Sequence, residues 1–246
     1  MIRESDKIDP RLPGIRLYED LAKDRTIEPK LFMDVDDHWR ILGAVKHSQG
    51  PRIHLRGRLI ALCGLAQSGK STVAKWLEQE HGFERVRFAD PLKAMIRTLL
   101  EFSPYAHKLD SSVGITEIDR WMEGDKKEKM LRILQGKSVR YAMQTLGTEW
   151  AREIMGQDIW VDIFSARAVS LLKAGKNVVC EDLRFPNEEE TILKHRGFIY
   201  RIERPGAGTP SEHVSETFTP KHLAVIDNVG TNIELYEKFR KLLFID

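Results

Sequence analysis

The chain has 246 residues, 41% of them hydrophobic and 31% charged, with 10 Pro and 17 Gly. That is enough to bury one large α/β core or two small ones, and it excludes a disulfide-stapled mini-protein and a disordered or fibrous chain. Thirty-nine Lys and Arg against 37 Asp and Glu leave a formal charge of +2, too balanced for a protein that coats phosphate backbones, so nucleic acid is not an expected partner. No run approaches the roughly 18 apolar residues of a membrane span, and the polar start from Met1 to Lys7 is unlike a signal peptide. Neither a membrane nor export is expected, and the cytoplasm is the expected location.

From Met1 to about Arg56 there is no sustained period, and Pro10, Pro13, Pro29 and Pro51 interrupt it, so residues 1–56 read as an extension with short local structure. Its apolar residues, among them Leu17, Leu21, Phe32 and Trp39, are too many for a solvated tail. Part of it is expected to dock on the main domain or on a second subunit, which leaves a homodimer possible. The main domain is expected over 57–246. Leu59 to Cys63 is a continuous apolar run closed by Gly64, the pattern of a buried parallel strand, and a helix is expected from Gly69 to Glu80. Arg85 to Phe88 reads as a strand. Asp90-Pro91 reads as a cap and first turn, opening a helix with an apolar stripe at Leu92, Met95, Ile96, Leu99 and Leu100.

Ser103 to Lys137 is charge-rich and poorly periodic, which points to a lid over a site. Two helices are expected next, Val139 to about Met155 and Ile159 to Ala174, the second stopped by Gly175. Asn177 to Cys180, Phe198 to Ile202 and Leu223 to Ile226 read as strands, Pro186 to Lys194 as a helix, and Thr231 with Glu234 as a capping box opening the last helix. Cys63 and Cys180 each end an apolar run and read as buried, reduced thiols. Alternating strands and helices predict an α/β three-layer sandwich: a mostly parallel sheet flanked by helices, with an inserted helical substrate-binding or lid region over 103–160.

Gly64-Leu65-Ala66-Gln67-Ser68-Gly69-Lys70-Ser71 matches G-x-x-x-x-G-K-[ST], between a strand and a helix as the mechanism requires. Its glycines let successive N–H groups and the helix N-terminus converge on one anion. The expected ATP-phosphate ligands are Gly64, Ala66, Gln67, Ser68, Gly69, Lys70, Ser71 and Thr72, with Lys70 neutralising the β- and γ-phosphates and Ser71 ligating Mg²⁺. Asp182 follows a buried strand at the edge where parallel sheets bind ligands, and either holds Mg²⁺ through water or caps a helix. Arg184 either reaches the transferred phosphoryl group or pairs on the surface.

On the acceptor side, Asp90 and Lys93 sit on the same edge of the sheet, although Asp90 also suits a helix N-cap. Arg140 and Arg152 can fork onto a monophosphate, Gln144 can read a base edge, and the faces of Trp150 and Trp160 can stack on a base, with Thr148 between them. A tryptophan on a helix is otherwise core, and an arginine otherwise a solvated charge. Asn228, Gly230 and Thr231 precede the last helix, where P-loop kinases commonly pass adenine; a plain capping turn is the other reading. His213 reads as a loop hydrogen-bonding residue rather than a catalytic one, because transfer to a phosphate oxygen, if that is the acceptor, needs no general base.

Phe88 to Lys93, Arg140 to Val161 and Glu181 to Glu188 together resemble the deoxynucleoside monophosphate kinases of tailed bacteriophages, as do Arg204-Pro205-Gly206, His213 to Glu216 and Val225 to Thr231. The resemblance runs from about Arg58 to the C-terminus, and Met1 to Arg56 has no counterpart. It implies transfer of the γ-phosphoryl group of ATP to a deoxynucleoside 5′-monophosphate with Mg²⁺ bridging the phosphates. Two other readings fit the loop: a P-loop kinase of another small acceptor, such as dephospho-coenzyme A, and a nucleotide-binding switch.

Overall fold

The computed structural model describes residues 15–17, 57–102, 109–110, 115–208 and 218–243. His213, Ser215 and Glu216, and the extension apart from 15–17, lie outside them. In chain order the elements are β1 (Ile15–Leu17), β2 (Leu59–Cys63), α1 (Lys70–His81), β3 (Glu84–Arg85), α2 (Asp90–Glu101), β4 (Leu109–Asp110), β5 (Ile115–Thr116) and α3 (Glu117–Met122). There follow β6 (Met130–Leu131), a 3₁₀ turn (Arg132–Leu134), β7 (Lys137–Ser138), α4 (Val139–Thr145), a π-helix (Leu146–Met155), α5 (Ile159–Lys173), β8 (Val178–Cys180), α6 (Pro186–Lys194), β9 (Phe198–Glu203), β10 (Ala224–Asp227) and α7 (Asn232–Leu243). The chain forms two compact units, one running to Arg87 and resuming at Ser165, the other Phe88–Phe164.

The larger unit is built on a sheet of order β1-β10-β9-β2-β8-β3. All of its pairings are parallel except that of β1, which adds antiparallel to β10 at the edge. Every residue of β2 is buried, as a strand covered on both faces requires. Alternation sends Ile60 and Leu62 to one face, where they join Val179, Ile202 and Ile226 in a core closed by Val73 and Leu77 of α1 and Leu235 and Phe239 of α7. Leu59 points the other way, toward Ile192 of α6. Truncating one of these fully buried aliphatic residues to Ala costs about 2–5 kcal/mol. The unit is thus a P-loop α/β fold with its parallel strands flanked by helices. Among the described residues no helix is long and apolar enough to cross a membrane.

Three local readings are corrected. The third strand is Glu84–Arg85 rather than Arg85 to Phe88; just after it the Val86 N–H bonds Val179 O at 3.0 Å. The N-cap of α2 is Ala89, which leaves Asp90 inside the first turn. The helix from Val139 continues beyond Thr145 as ten residues of π-helix, so its faces do not follow the 3.6-residue period. By contrast, Gly175 ends α5 as expected: with φ +80°, its N–H bonds Leu172 O and that of Lys176 bonds Leu171 O.

The smaller unit has a core of its own, in which Ile96 and Leu100 of α2 meet Ile118, Trp121 and Met122 of α3, with Leu131 and Val139. Much of this core comes from the segment whose sequence reads as an aperiodic lid. Its apolar residues are few, but Ile118, Trp121 and Met122 fall at i, i+3 and i+4 of one short helix. Phe88 and Phe164 stack with centroids 4.0 Å apart.

Candidate active site

The phosphate loop joins β2 to α1, and backbone geometry fixes its composition. Gly64 and Gly69 have φ of +132° and +110°. A Cβ on Gly64 would lie 2.3 Å from Ile202 O, and one on Gly69 would lie 2.6 Å from Asn228 Nδ2; a side chain at either position would break the loop. Gln67 also takes a left-handed φ, +65°. No side chain caps α1, so its first N–H groups face the loop, as an anion site requires. Lys70 Nζ donates to Gly64 O and Leu65 O at 2.8 and 2.6 Å, which holds the ammonium over the loop. Ala66, Gln67 and Ser71 are exposed, Thr72 is half-buried and Ser68 is buried.

A cleft beside the loop is lined by Gly64, Lys70, Glu181, Asp182, Arg184 and Arg201, with Phe218 to Pro220 on one side. The cap of α6 is Phe185, which removes the reading of Asp182 as a helix cap. Instead Asp182 Oδ1 accepts a hydrogen bond from the Cys180 thiol at 3.3 Å. Arg184 is exposed, and among the described residues its side chain forms no ion pair, which removes its reading as a paired surface charge. Its backbone is held firmly: the buried Glu188 carboxylate accepts the N–H of Arg184 at 2.7 Å and of Phe185 at 3.1 Å.

Cys63 and Cys180 are free and buried. Burial pushes the Cys63 thiol up to about 12, against the lowering charges of Arg201 and Lys70, and burial also raises Cys180. Neither is a thiolate at neutral pH. Cys63 nevertheless lines the cleft.

Two residues in this cleft have no role assigned to them from the sequence. Glu181 is buried, accepts a hydrogen bond from Arg85, and lies 3.7 Å from Arg87. Its Oε2 is buried with no hydrogen-bond partner among the described residues. Arg201 reaches the site from the middle of β9, where an aliphatic residue is expected.

The adenine candidates have structural roles. Asn228 is buried and donates from Nδ2 to Ser68 O at 2.8 Å, bracing the phosphate loop. Thr231 and Glu234 form the expected capping box: the Thr231 N–H bonds Glu234 Oε2 at 2.7 Å, and the Glu234 N–H bonds Thr231 Oγ1 at 3.3 Å. The Thr231 N–H and the Thr231 hydroxyl, which donates to Glu234 Oε2 at 3.2 Å, hold the Glu234 carboxyl below the usual range. Gly230 lies so close that a Cβ there would meet Glu234 Oε2 at 1.8 Å. A second depression adjoins this turn, lined by Ser68, Arg201, Arg204, Pro205, Asp227 and Val229.

All the acceptor candidates fall in the smaller unit. Lys93 Nζ pairs with Glu123 at 2.5 Å, and Arg140 Nη1 with Glu128 at 3.0 Å. Arg152 Nη1 donates to Gln157 O at 3.3 Å, and Gln144 and Thr148 are half-buried. Trp150 is 36% exposed, whereas Trp160 is 4% exposed and donates from Nε1 to Gly147 O at 3.0 Å. Trp160 is therefore a core residue bracing the π-helix, and its ring offers no open face to a base.

A parallel sheet, an anion loop closed by Lys70, and acids with an arginine at the end of the neighbouring strand define a P-loop phosphotransferase. The profile of the deoxynucleotide monophosphate kinase family matches residues 103–239, more than half of the chain, and the chain belongs to that family. An Acanthamoeba polyphaga mimivirus protein provisionally named deoxynucleotide monophosphate kinase is 29% identical over 190 residues, covering 74% of this chain and 91% of its own. The deoxynucleotide monophosphate kinase of Escherichia phage RB69 is 28% identical over 109 residues, 43% of this chain and 45% of its own. A sugar kinase structure from Janibacter, at 16% identity and TM-score 0.39 over 77% of this chain and 95% of that one, is too distant to bear on the assignment.

Proposed function

We propose that the protein transfers the γ-phosphoryl group of ATP to the 5′-monophosphate of a deoxynucleoside, supplying diphosphates for DNA synthesis. The bond from the γ-phosphorus to the β,γ-bridging oxygen breaks, and a new bond forms to an acceptor phosphate oxygen. ADP and the deoxynucleoside diphosphate leave. That oxygen is already ionised, so no general base is needed. The observation that carries the reading is that one cleft of the larger unit gathers Lys70 with Asp182 and Arg184.

In this reading the loop N–H groups cradle the β-phosphate, Lys70 neutralises charge between the β- and γ-phosphates, and Arg184 meets the transferred group. Ser71 and Asp182 would hold Mg²⁺, which when bound offsets phosphate charge. The donor set fits that ion: Ser71 is exposed at the start of α1, and Glu181 and Asp182, both bearing hard carboxylate oxygens, line the cleft, with Glu181 Oε2 lacking a hydrogen-bond partner among the described residues. The depression beside Arg204, Pro205 and Val229 suits the adenine better than the side chains of Asn228 and Thr231, which brace the loop and cap α7. The acceptor is assigned to Asp90, Lys93, Arg140, Gln144, Thr148, Trp150 and Arg152.

The test is incubation with Mg-ATP and a panel of deoxy- and ribonucleoside monophosphates, with diphosphate formation measured. Deoxynucleotides are expected to react with the higher kcat/KM. Equal efficiency on AMP and UMP would instead make this a general nucleotide kinase.

A further inference from the structure

We infer that Arg201 is a phosphate-binding residue, placing a guanidinium from the middle of the sheet against the polyphosphate chain of the bound nucleotide. It stands opposite Cys63 in the β2–β9 register, one residue before the phosphate loop opens. It lines both depressions that border the loop, the one with Lys70 and Arg184 and the one with Ser68 and Arg204, and Leu65 of the loop lines both with it. A ligand running along the loop from one depression to the other passes Arg201.

The alternative is a structural ion pair with Glu203, whose Oε1 accepts from Arg201 Nε at 2.8 Å. That pair does not account for the residue. Glu203 takes one of five guanidinium donors, and among the described residues Arg201 has no other hydrogen-bond acceptor. The side chain is only 21% exposed, so the guanidinium donors that Glu203 does not take are largely withdrawn from water and are left for a further acceptor. Tying Nε to Glu203 fixes the plane of the fork and leaves the terminal nitrogens for a second anion, the arrangement that suits forked phosphate recognition. The charge already acts on its surroundings, lowering the Cys63 thiol against the effect of burial.

The inference rests on the nucleotide reading of the loop and is independent of the acceptor. Calorimetric titration of the full chain with Mg-ATP, with inorganic tripolyphosphate and with adenosine separates the possibilities. Arg201→Gln is expected to weaken ATP and tripolyphosphate by the same factor, about tenfold or more, to leave adenosine binding unchanged, and to melt within a few degrees of the parent. Arg201→Lys, which keeps the charge and loses the fork, should recover part of the loss, and Glu203→Gln should weaken both polyphosphates by a smaller factor. Unchanged affinity for both in Arg201→Gln overturns the inference, as does loss for ATP without loss for tripolyphosphate, which would place Arg201 on the base side. If Arg201→Gln does not fold, Arg201→Lys decides: equal weakening of both polyphosphates supports the inference, and full affinity overturns it. A parent protein that binds ATP and tripolyphosphate but phosphorylates no deoxynucleotide leaves Arg201 in place and removes only the acceptor assignment.

Discussion

The two units differ in what their charged and aromatic side chains touch. In the larger one, Lys70, Asp182, Arg184 and Arg201 all line one cleft, on a sheet whose buried strands leave the loop backbone little freedom. In the smaller one, Lys93, Arg140 and Trp160 bond to neighbours within the unit, namely Glu123, Glu128 and Gly147. A phosphate loop made mostly of backbone is complete once it folds. The proposed acceptor site, made of long side chains on short elements, would need its ligand to compete with ion pairs already formed, and exposed pairs of this kind are worth only about 0.2–1 kcal/mol.

The largest expected effect breaks the comparison on the donor side. Lys70→Ala should lower kcat by about 10²- to 10³-fold or more, with the melting temperature and circular dichroism unchanged, because the ammonium lies over loop carbonyls rather than in the core. Transfer at the parent rate in the folded variant would show that this loop is not the phosphate site.

Within the smaller unit the two tryptophans should separate. Trp160→Ala should destabilise by about 3–5 kcal/mol, read by denaturant melts, since it removes a buried indole and the bond to Gly147 O. Trp150→Ala should leave stability nearly unchanged and raise the acceptor KM, because loss of a base-stacking face is worth about 1–3 kcal/mol. If both variants lose stability and neither shifts KM, no base stacks on Trp150.

That separation is only partly legible in the sequence. Gly64 to Ser71 could be read at once, because a phosphate loop needs particular residues at consecutive positions. The strand Leu59–Cys63 and the helix Pro186–Lys194 carry their own period and punctuation. Trp150 and Trp160 stand on the two successive helices expected from Val139 and from Ile159, the second with Trp160 on its apolar face, but helical spacing leaves a stacking role open for either, and it is the burial of Trp160 and its bond to Gly147 O that decide. Glu181 and Arg201 have no role legible in the sequence for a related reason: each is a charged residue beside or within an apolar strand, and its significance appears only when the strand order puts it beside the loop. Within Ser103 to Lys137, which reads as an aperiodic lid, Ile118, Trp121, Met122 and Leu131 join a small core; such a core needs few apolar residues, and the surrounding charges mask their spacing.

The arginines test the comparison across units. Arg184→Ala and Arg140→Ala should each lower kcat/KM by about tenfold or more, as expected of a charge-assisted phosphate bond worth about 1.5–3 kcal/mol. Arg184 should show the larger loss, because it has no ion pair among the described residues to exchange for the phosphate, whereas Arg140 must first leave Glu128. Full activity in either variant would return that arginine to the surface.

A chain shortened to begin at Pro51 should still fold and bind ATP with parental affinity, since the loop and the parallel strands all follow Gly57. It loses β1, whose removal uncovers the edge of β10. A modest fall in melting temperature is expected, or a change in sedimentation if the extension also joins subunits. Loss of ATP binding in a folded, shortened chain would make the extension part of the site.

The smallest effect concerns how the larger unit is held together. Ser165, where the chain re-enters this unit on α5, lies 2.6 Å from His195 Nε2 at the end of α6. Burial lowers His195 below its ordinary 6.5, and the neighbouring Lys194 charge adds to that. The folded state therefore binds a proton less readily than the unfolded chain. The stability from neutral His195 is fully present above 6.5 and is lost as the pH falls through the lower, folded value. Denaturant melts from pH 8 down to pH 5 should show stability falling over the acidic part of that range, and His195→Gln, which keeps a hydrogen-bonding group but does not titrate, should flatten the profile there. An unchanged profile would mean that the acid sensitivity arises from carboxylates, and that the contact between Ser165 and His195 holds α5 to α6 equally well in either charge state.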